Sequence, residues 1–234
     1  MKGYGQFCPV AVACEIVAER WTPLILRELL AGSTRFNQIR QGLPLISRAL
    51  LAQRLQELEH SGVLQSRPRV TGRGRDYRLT PAGEELRAIV EGLGEWGQHY
   101  AATQFSPENL DVGLLMFNIK RRVDVSRLPK PRVVVRFEFR GLPPRCRTMR
   151  TTWLVLQRTD VDVCIKDPGF PVDLVLHAEM ATLARVWVGR LTFAEGIRTG
   201  GLRLEGSREL IHAFPGWLKL SPFAAVLRPA HAGA

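Results

Sequence analysis

The tightest constraint in this chain is the order of elements written into residues 35–79. A short amphipathic stretch, Arg35-Phe36-Asn37-Gln38-Ile39-Arg40, is closed by a turn at Gly42 and Pro44, and Ser47 opens a second helix that runs to His60. Serine is a strong N-cap because its hydroxyl accepts an orphan backbone N–H of the first turn. Ile46, Leu51, Leu55 and Leu58 form the inward face of that helix. Gly62 ends it in the left-handed position, where the absence of Cβ removes the steric penalty. Two strand-like runs, 63–69 and 75–79, flank Thr71-Gly72-Arg73-Gly74 and read as a hairpin with a glycine-rich tip. Helix, turn, helix and basic hairpin in this order make a winged helix-turn-helix.

The outward side of the second helix carries Arg48, Ala49, Ala52, Gln53 and Gln56. Small residues let a helix approach a duplex closely, and Arg and Gln pair with base edges in the major groove. Ser47 sets the first N–H groups of the helix where a phosphate can sit. Arg35, Arg67, Arg69, Arg73 and Arg75 complete the candidate contacts, and in the hairpin they and Arg78 face only Asp76. Such a tip suits phosphate contact and minor-groove insertion, which supply affinity rather than sequence choice. Taken singly, an amphipathic helix is an ordinary surface helix and a charged hairpin an ordinary solvated one. Taken together they point to double-stranded DNA.

At 234 residues the chain suits two domains, expected over 1–105 and 106–234. In the first, Val10, Cys14 and Val17 mark a helix before Arg20-Trp21, and Leu24, Ile25 and Leu29 continue the pattern after Thr22. Thr80-Pro81 opens a long helix with an N-cap, a proline at its first position and Glu84-Glu85 in its first turn, running through Leu93 and Trp96 towards Tyr100. The second has a helix through Leu114-Leu115 and Phe117, strands at 133–139, 151–156, 161–166, 172–177 and 202–205, and helices at 178–186, 193–197 and 207–214. Val161, Val163 and Ile165 alternate with Asp160, Asp162 and Cys164, the mark of a half-buried strand. The fold class is α+β.

Thirty-three Lys and Arg against 22 Asp and Glu give a net charge of +11, which favours a polyanionic partner, nucleic acid or an anionic membrane surface. No apolar run reaches the ~18–20 residues that span a bilayer, so no stable membrane insertion is expected. Four cysteines without a C-x-x-C pair fit a reducing cytosol, hence a cytoplasmic, nucleoid-associated protein. Gly92-Leu93-Gly94-Glu95-Trp96-Gly97 matches G-x-G-x-x-G literally, but inside a helix rather than between strand and helix, so the phosphate-cradling geometry is missing. His60, His99, His177, His212 and His231 lack metal-ligand spacing, and neither Asp160-x-Asp162 nor Asp167-Pro168-Gly169 makes an acid–base or calcium pair. No catalytic residue, metal or cofactor is expected, and no enzyme.

The stretch Cys8-Pro9-Val10, Arg20-Trp21-Thr22, Leu24-Ile25-Leu26-Arg27-Glu28-Leu29, Arg35-Phe36-Asn37-Gln38-Ile39, Ile46-Ser47-Arg48, Leu51-Ala52-Gln53-Arg54-Leu55, Leu58-Glu59, Gly62-Val63 and Leu79-Thr80-Pro81-Ala82-Gly83 resembles the HxlR family of bacterial winged-helix regulators over residues 8–100. The resemblance implies a transcriptional repressor or activator that binds inverted-repeat operators as a homodimer, the first and last helices of the domain forming much of the interface. The wing departs from the family, with Thr71-Gly72-Arg73-Gly74-Arg75-Asp76-Tyr77 where prolines and a Val-Glu-Tyr run are usual, so its contacts transfer less securely. Cys8 falls where several members carry a redox- or electrophile-sensing thiol; the bland alternative is that it packs.

Residues 172–223 resemble the sterol carrier protein family through Val172-Asp173-Leu174-Val175-Leu176, Ala181-Thr182-Leu183, Val188-Gly189 with Leu191, and Thr199-Gly200-Gly201-Leu202-Arg203-Leu204-Glu205-Gly206. That implies a sheet with helices on one face and an apolar cavity for a small hydrophobic ligand. Trp153, Met180, Trp187, Phe193, Phe214, Trp217 and Phe223 are the candidate lining, against the plain alternative of core packing. Two rival functions remain: a thiol switch through Cys8, and a lipid-binding carrier with a basic membrane-facing surface.

Overall fold

The computed structural model describes residues 3–70, 72–101 and 105–226; Thr71 of the expected hairpin tip lies outside them. The chain forms two compact units, the first ending at Trp96 and the second beginning at Gly97. The domain boundary expected near residue 105 thus lies further along the chain than this division. Gln98 explains why: it is 8% exposed, and its side-chain amide donates to the Val188 carbonyl at 2.8 Å, deep in the second unit's sequence.

The first unit is built from α1 (Pro9–Val17), α2 (Thr22–Leu30), α3 (Phe36–Gln41), α4 (Arg48–His60), the hairpin β1 (Leu64–Pro68) with β2 (Arg75–Leu79), α5 (Pro81–Glu85) and α6 (Arg87–Tyr100). Ser47 caps α4 as expected, its Oγ accepting from Leu50 N at 3.1 Å. Leu51, Leu55 and Leu58 drop into a core with Ile25, Leu26 and Ile39, all six no more than 2% exposed. Burial of side chains this size stabilises by about 1.5–3 kcal/mol each. Gly62 takes the left-handed conformation, φ +73°, that ends the helix. The hairpin gains a third edge from the segment before α3, where Tyr77 N–H donates to the Thr34 carbonyl at 2.8 Å and Arg35 lies opposite Asp76.

Beneath the turn between α3 and α4 sits Glu28, whose side chain is fully buried. Arg27 Nη2 pairs with it at 2.8 Å and with the Gly42 carbonyl at 3.0 Å. A Cβ on residue 42 would overlap the Glu28 carboxylate, so this turn requires glycine.

The long helix expected from Thr80 is split. Thr80 caps α5 through Oγ1, which accepts from Gly83 N at 3.2 Å, and Leu86 N–H then bonds the Gly83 carbonyl, three residues back, at 3.3 Å. The backbone at Gly83 presses against the Val63 carbonyl, and the tightened turn redirects the chain into α6.

The second unit holds α7 (Val112–Arg122), β3 (Arg132–Arg140), β4 (Thr151–Gln157), β5 (Val161–Cys164), β6 (Leu174–Glu179), α8 (Met180–Trp187), α9 (Phe193–Arg198), β7 (Leu202–Gly206) and α10 (Arg208–Trp217). The five strands form one sheet in the order β5-β4-β3-β6-β7, antiparallel except where β3 meets β6. Val133, Val135, Phe137 and Phe139 of β3 share one face with Leu154 and Leu156 of β4 and pack against Met116, Leu183, Phe214 and Trp217 from the helices. Strand alternation sends Arg136, Glu138 and His177 to the other face, where Arg136 pairs with Glu138 at 2.9 Å and Glu138 with His177 Nδ1 at 3.0 Å. Ile165, expected inside β5, lies just beyond it and is exposed.

A methyl at residue 83 has no room because its neighbour is backbone. Gly83→Ala is therefore expected to destabilise the first unit by about 2 kcal/mol, read as a lower thermal midpoint. An unchanged midpoint would show that the close approach to Val63 is not a constraint.

Candidate nucleic-acid interface

The helix-turn-helix places Arg48, Ala49, Ala52, Gln53 and Gln56 together on the exposed side of α4, with Ser47 at its start. The two ends of that surface differ in charge. Towards the N-terminus Arg48 stands with the two alanines and no carboxylate on the helix. Towards the C-terminus Gln53 Nε2 donates to Glu57 Oε1 at 2.9 Å, and Arg54 bridges Glu57 and, at 2.7 Å, Glu19. A cleft of about 570 Å³ lies beside this end, lined by Glu15, Glu19, Gln56 and Glu57 among others. Those acids already have partners: Glu15 accepts from Tyr4 N at 2.6 Å, and Glu19 and Glu57 hold Arg54. Among the described residues Arg48 forms no ion pair, whereas Glu19 and Glu57 at the second end are already paired with Arg54.

The hairpin arginines divide in a way the sequence does not show. Arg69 lies 3.7 Å from Asp76, and Arg75 reaches Ser66 Oγ at 2.7 Å and Glu59 of α4 at 3.8 Å. The expectation that only Asp76 faces them is corrected by Glu59, which the fold brings across from α4. Arg67 and Arg73 are exposed and meet no carboxylate among the described residues, and Arg35 is exposed at the start of α3. Glu59 also accepts from Ser66 Oγ at 2.7 Å and Ser66 N at 3.0 Å, and these hydrogen bonds, the hydroxyl first, hold its carboxyl below the usual glutamate range.

Of the candidate ligand-lining side chains, Met180, Phe214 and Trp217 are buried in the second core. The Phe214 ring meets Phe137, Phe193 and Trp217 edge-on, with centroids 6.3, 5.9 and 5.7 Å away. Trp187 and Phe193 are half-buried at the edge of the same core, and Phe223 is half-buried in the segment whose Ser221 N–H bonds the Trp187 carbonyl at 3.0 Å. Trp153 is set apart. It alternates with Leu154 and so lies on the sheet face away from the helices, opposite Arg136 and Cys164. It cannot line a space between sheet and helices. Among the described residues no cluster of three or more His, Cys, Asp or Glu is arranged to hold a metal, and no helix is long and apolar enough to cross a membrane.

The model of the HxlR-like helix-turn-helix family matches residues 16–105. The HTH-type transcriptional regulator YdeP of Bacillus subtilis is 32% identical over 99 residues, which cover 40% of this chain and 73% of that one. An HTH-type transcriptional regulator of Methanothermobacter thermautotrophicus is 35% identical over 99 residues, 42% of this chain and 75% of that one. The chain belongs to the HxlR-like helix-turn-helix family. Among solved structures, the reduced form of the transcriptional regulator YodB from B. subtilis aligns with 40% of the chain and 93% of its own, at 30% identity and a TM-score of 0.36. The family model's match spans α2 to α6.

Because the Glu59 carboxyl is held low, its contribution to stability is full above the ordinary glutamate range and fades as pH falls through the lowered value. Ser66→Ala removes the hydroxyl donor. It should raise the Glu59 midpoint towards the ordinary glutamate range in a carbon-detected NMR titration. A midpoint that stays put would mean Ser66 does not hold this carboxylate.

Proposed function

We propose that this HxlR-like family member is a DNA-binding transcriptional regulator that binds an inverted-repeat operator as a homodimer, α4 reading the major groove and the hairpin following the adjacent phosphates. The observation that carries the reading is the exposed N-terminal half of α4, where Ala49 and Ala52 stand beside Arg48, which forms no ion pair among the described residues, on a helix whose other side is locked into the core. Arg48 and Gln53 supply base recognition, Ser47 and the start of α4 meet a phosphate, and Arg35, Arg67 and Arg73 add backbone contacts. Arg69 and Arg75, tied to carboxylates, shape the hairpin as well as charging it.

Two exposed apolar surfaces support the homodimer. Ile89, Leu93 and Trp96 follow helical spacing along α6 at 49%, 53% and 60% exposure, and Phe7, Val10 and Val12 are exposed at and before α1. Apolar stripes of this kind on a soluble unit mark an association surface. Two copies related by a twofold axis set their α4 helices in successive major grooves, ~34 Å apart. A sterol-carrier-like ligand-binding role for the second unit is supported by its α+β make-up, with helices packed against one sheet face. A small hydrophobic molecule held among Met180, Trp187, Phe193, Phe214, Trp217 and Phe223 is its proposed effector, acting through differential affinity for two dimer arrangements, typically 1–3 kcal/mol.

The test is selection of bound genomic fragments followed by binding to the recovered site. Arg48→Ala and Gln53→Ala should relax base preference by about 1–3 kcal/mol each, whereas Arg73→Ala should weaken all sequences alike and flatten the salt dependence by about one contact. A single half-site should bind far more weakly than the inverted repeat. If Arg48→Ala leaves site preference intact, α4 is not the reading helix.

A second reading rests on Cys8. It is exposed at the start of α1, and the N–H groups of Ala11 and Val10 lower its thiol below the usual range, which favours the reactive thiolate. On this reading oxidation of Cys8 next to the apolar α1 face alters dimer geometry and releases DNA. Cys8→Ser should then bind DNA normally yet lose its response to peroxide or diamide. A response that persists in Cys8→Ser rejects it.

A further inference from the structure

The positive charge of this chain is concentrated away from its helix-turn-helix. Residues 1–96 carry 13 Lys and Arg against 10 Asp and Glu, and residues 97–234 carry 20 against 12, so the second unit holds +8 of the net +11. The excess is sharpest where β3 turns into β4. Residues 139–159 contain five arginines, Arg140, Arg145, Arg147, Arg150 and Arg158, and no Asp or Glu.

The turn that displays them is ordered. A short 3-10 helix, Pro144–Met149, starts on two prolines and is anchored by Cys146, 3% exposed in the core. Arg145 is used internally: it donates to the Glu108 and Leu110 carbonyls at 2.8 and 2.7 Å and lies 3.9 Å from Asp111. Arg140 donates to the Gly200 carbonyl at 3.3 Å. Arg147 and Arg150 are exposed, and their side chains form no hydrogen bond or ion pair among the described residues. Nearby acids are engaged elsewhere, Glu179 with Thr182 at 2.8 Å and Asp111 as the N-cap of α7. Two guanidinium groups are thus held on a fixed turn with no anion of their own, and the planar fork of arginine matches phosphate.

Two observations choose among anionic partners. Between residues 139 and 159 no large apolar side chain is exposed, so the turn has nothing to insert among lipids. The chain passes from one unit to the other inside α6, so the second unit is covalently tethered to any duplex the first unit grips. A duplex carries one charge per ~1.7 Å, and tethering raises its effective concentration at the patch to about the millimolar range.

We propose that Arg147 and Arg150 contact backbone phosphates of DNA flanking the site read by α4, so that the second unit is part of the nucleic-acid interface. The inference rests on the DNA-binding reading above. It would make the protein's footprint longer than a helix-turn-helix needs and its affinity unusually dependent on salt.

The experiment uses the full chain and a recovered site carried on a long duplex, with binding followed by fluorescence anisotropy across a salt series. Arg147→Gln with Arg150→Gln should lower the slope of log K against log [salt] by about 2 per subunit, at ~0.9 per contact, and leave base preference unchanged. The double Lys variant should keep the wild-type slope. On a duplex trimmed to the α4 site, wild type and the Gln variant should converge. A Gln variant with wild-type slope and affinity on the long duplex, while Arg73→Gln shifts both, overturns the proposal. So does loss of binding to phosphatidylglycerol vesicles with the DNA slope intact, which would give the patch to a membrane. A wild-type protein that binds no duplex at all would instead fail the DNA-binding reading itself. Equal thermal midpoints of all variants are expected, since neither arginine has an internal partner to lose.

Discussion

A buried carboxylate underlies the proposed reading surface. Glu28 has no exposed side-chain surface, and an unpaired charge in that position would cost several kcal/mol. It is tolerated because Arg27 reaches over it and, with the same guanidinium, grips the Gly42 carbonyl. The α3–α4 turn is thereby fastened to α2. Only with that turn fixed do Ile46 and Leu51 meet Ile25 and Leu26 and leave Arg48, Ala49 and Ala52 outside. Replacing one member alone strands the others, so the trio behaves as a unit.

The electrostatics of α4 then decide how a polyanion meets it. A helix N-terminus already favours negative charge, and here it coincides with Arg48 and the Ser47 cap. The far half carries Glu57 and Glu59, one tied to Arg54 and the other to Ser66 and Arg75 of the hairpin. These pairs are partly exposed and each adds little stability. Their larger consequence is geometric: Glu59 fastens the hairpin to the helix, so the charged ribbon and the reading surface keep a fixed relation within the unit. Arg67 and Arg73 form no ion pair among the described residues.

In the second unit the two sheet faces have separate roles. One is dry, filled by strand residues and by Phe214 and Trp217 in edge-to-face contact, an arrangement worth about 0.5–1.5 kcal/mol per aromatic pair beyond burial. The other carries Arg136 paired with Glu138 at 2.9 Å and His177 Nδ1 3.0 Å from Glu138, beside buried Val134 and Val155. The unpaired arginines sit apart from both, on the β3–β4 connection. The unit thus combines a packed apolar interior with arginines displayed on the connection between two strands.

Elements were readable in the sequence because they are set by short-range rules. Ser47, Gly62 and Thr80-Pro81 fix helix ends through their own backbone contacts, the leucine spacing of α4 follows from 3.6 residues per turn, and the alternation of residues 160–165 from the pleat. Placement was not readable, because it depends on which distant groups are brought close. Glu28 reads as one more charge beside Arg27 until the α3–α4 turn closes over it. Glu59 becomes a partner of Arg75 only when the hairpin folds back, and the break at Leu86 only when Gly83 meets Val63. Trp153 was grouped with the core aromatics by its chemistry, yet a one-residue step along a strand turns a side chain to the opposite face. The sequence by itself determined where most helices and strands lie and which side of α4 turns inward; the tertiary structure alone decided where the helix after Thr80 breaks, which face Trp153 takes and which charges are paired, since these depend on distances that no local signal encodes.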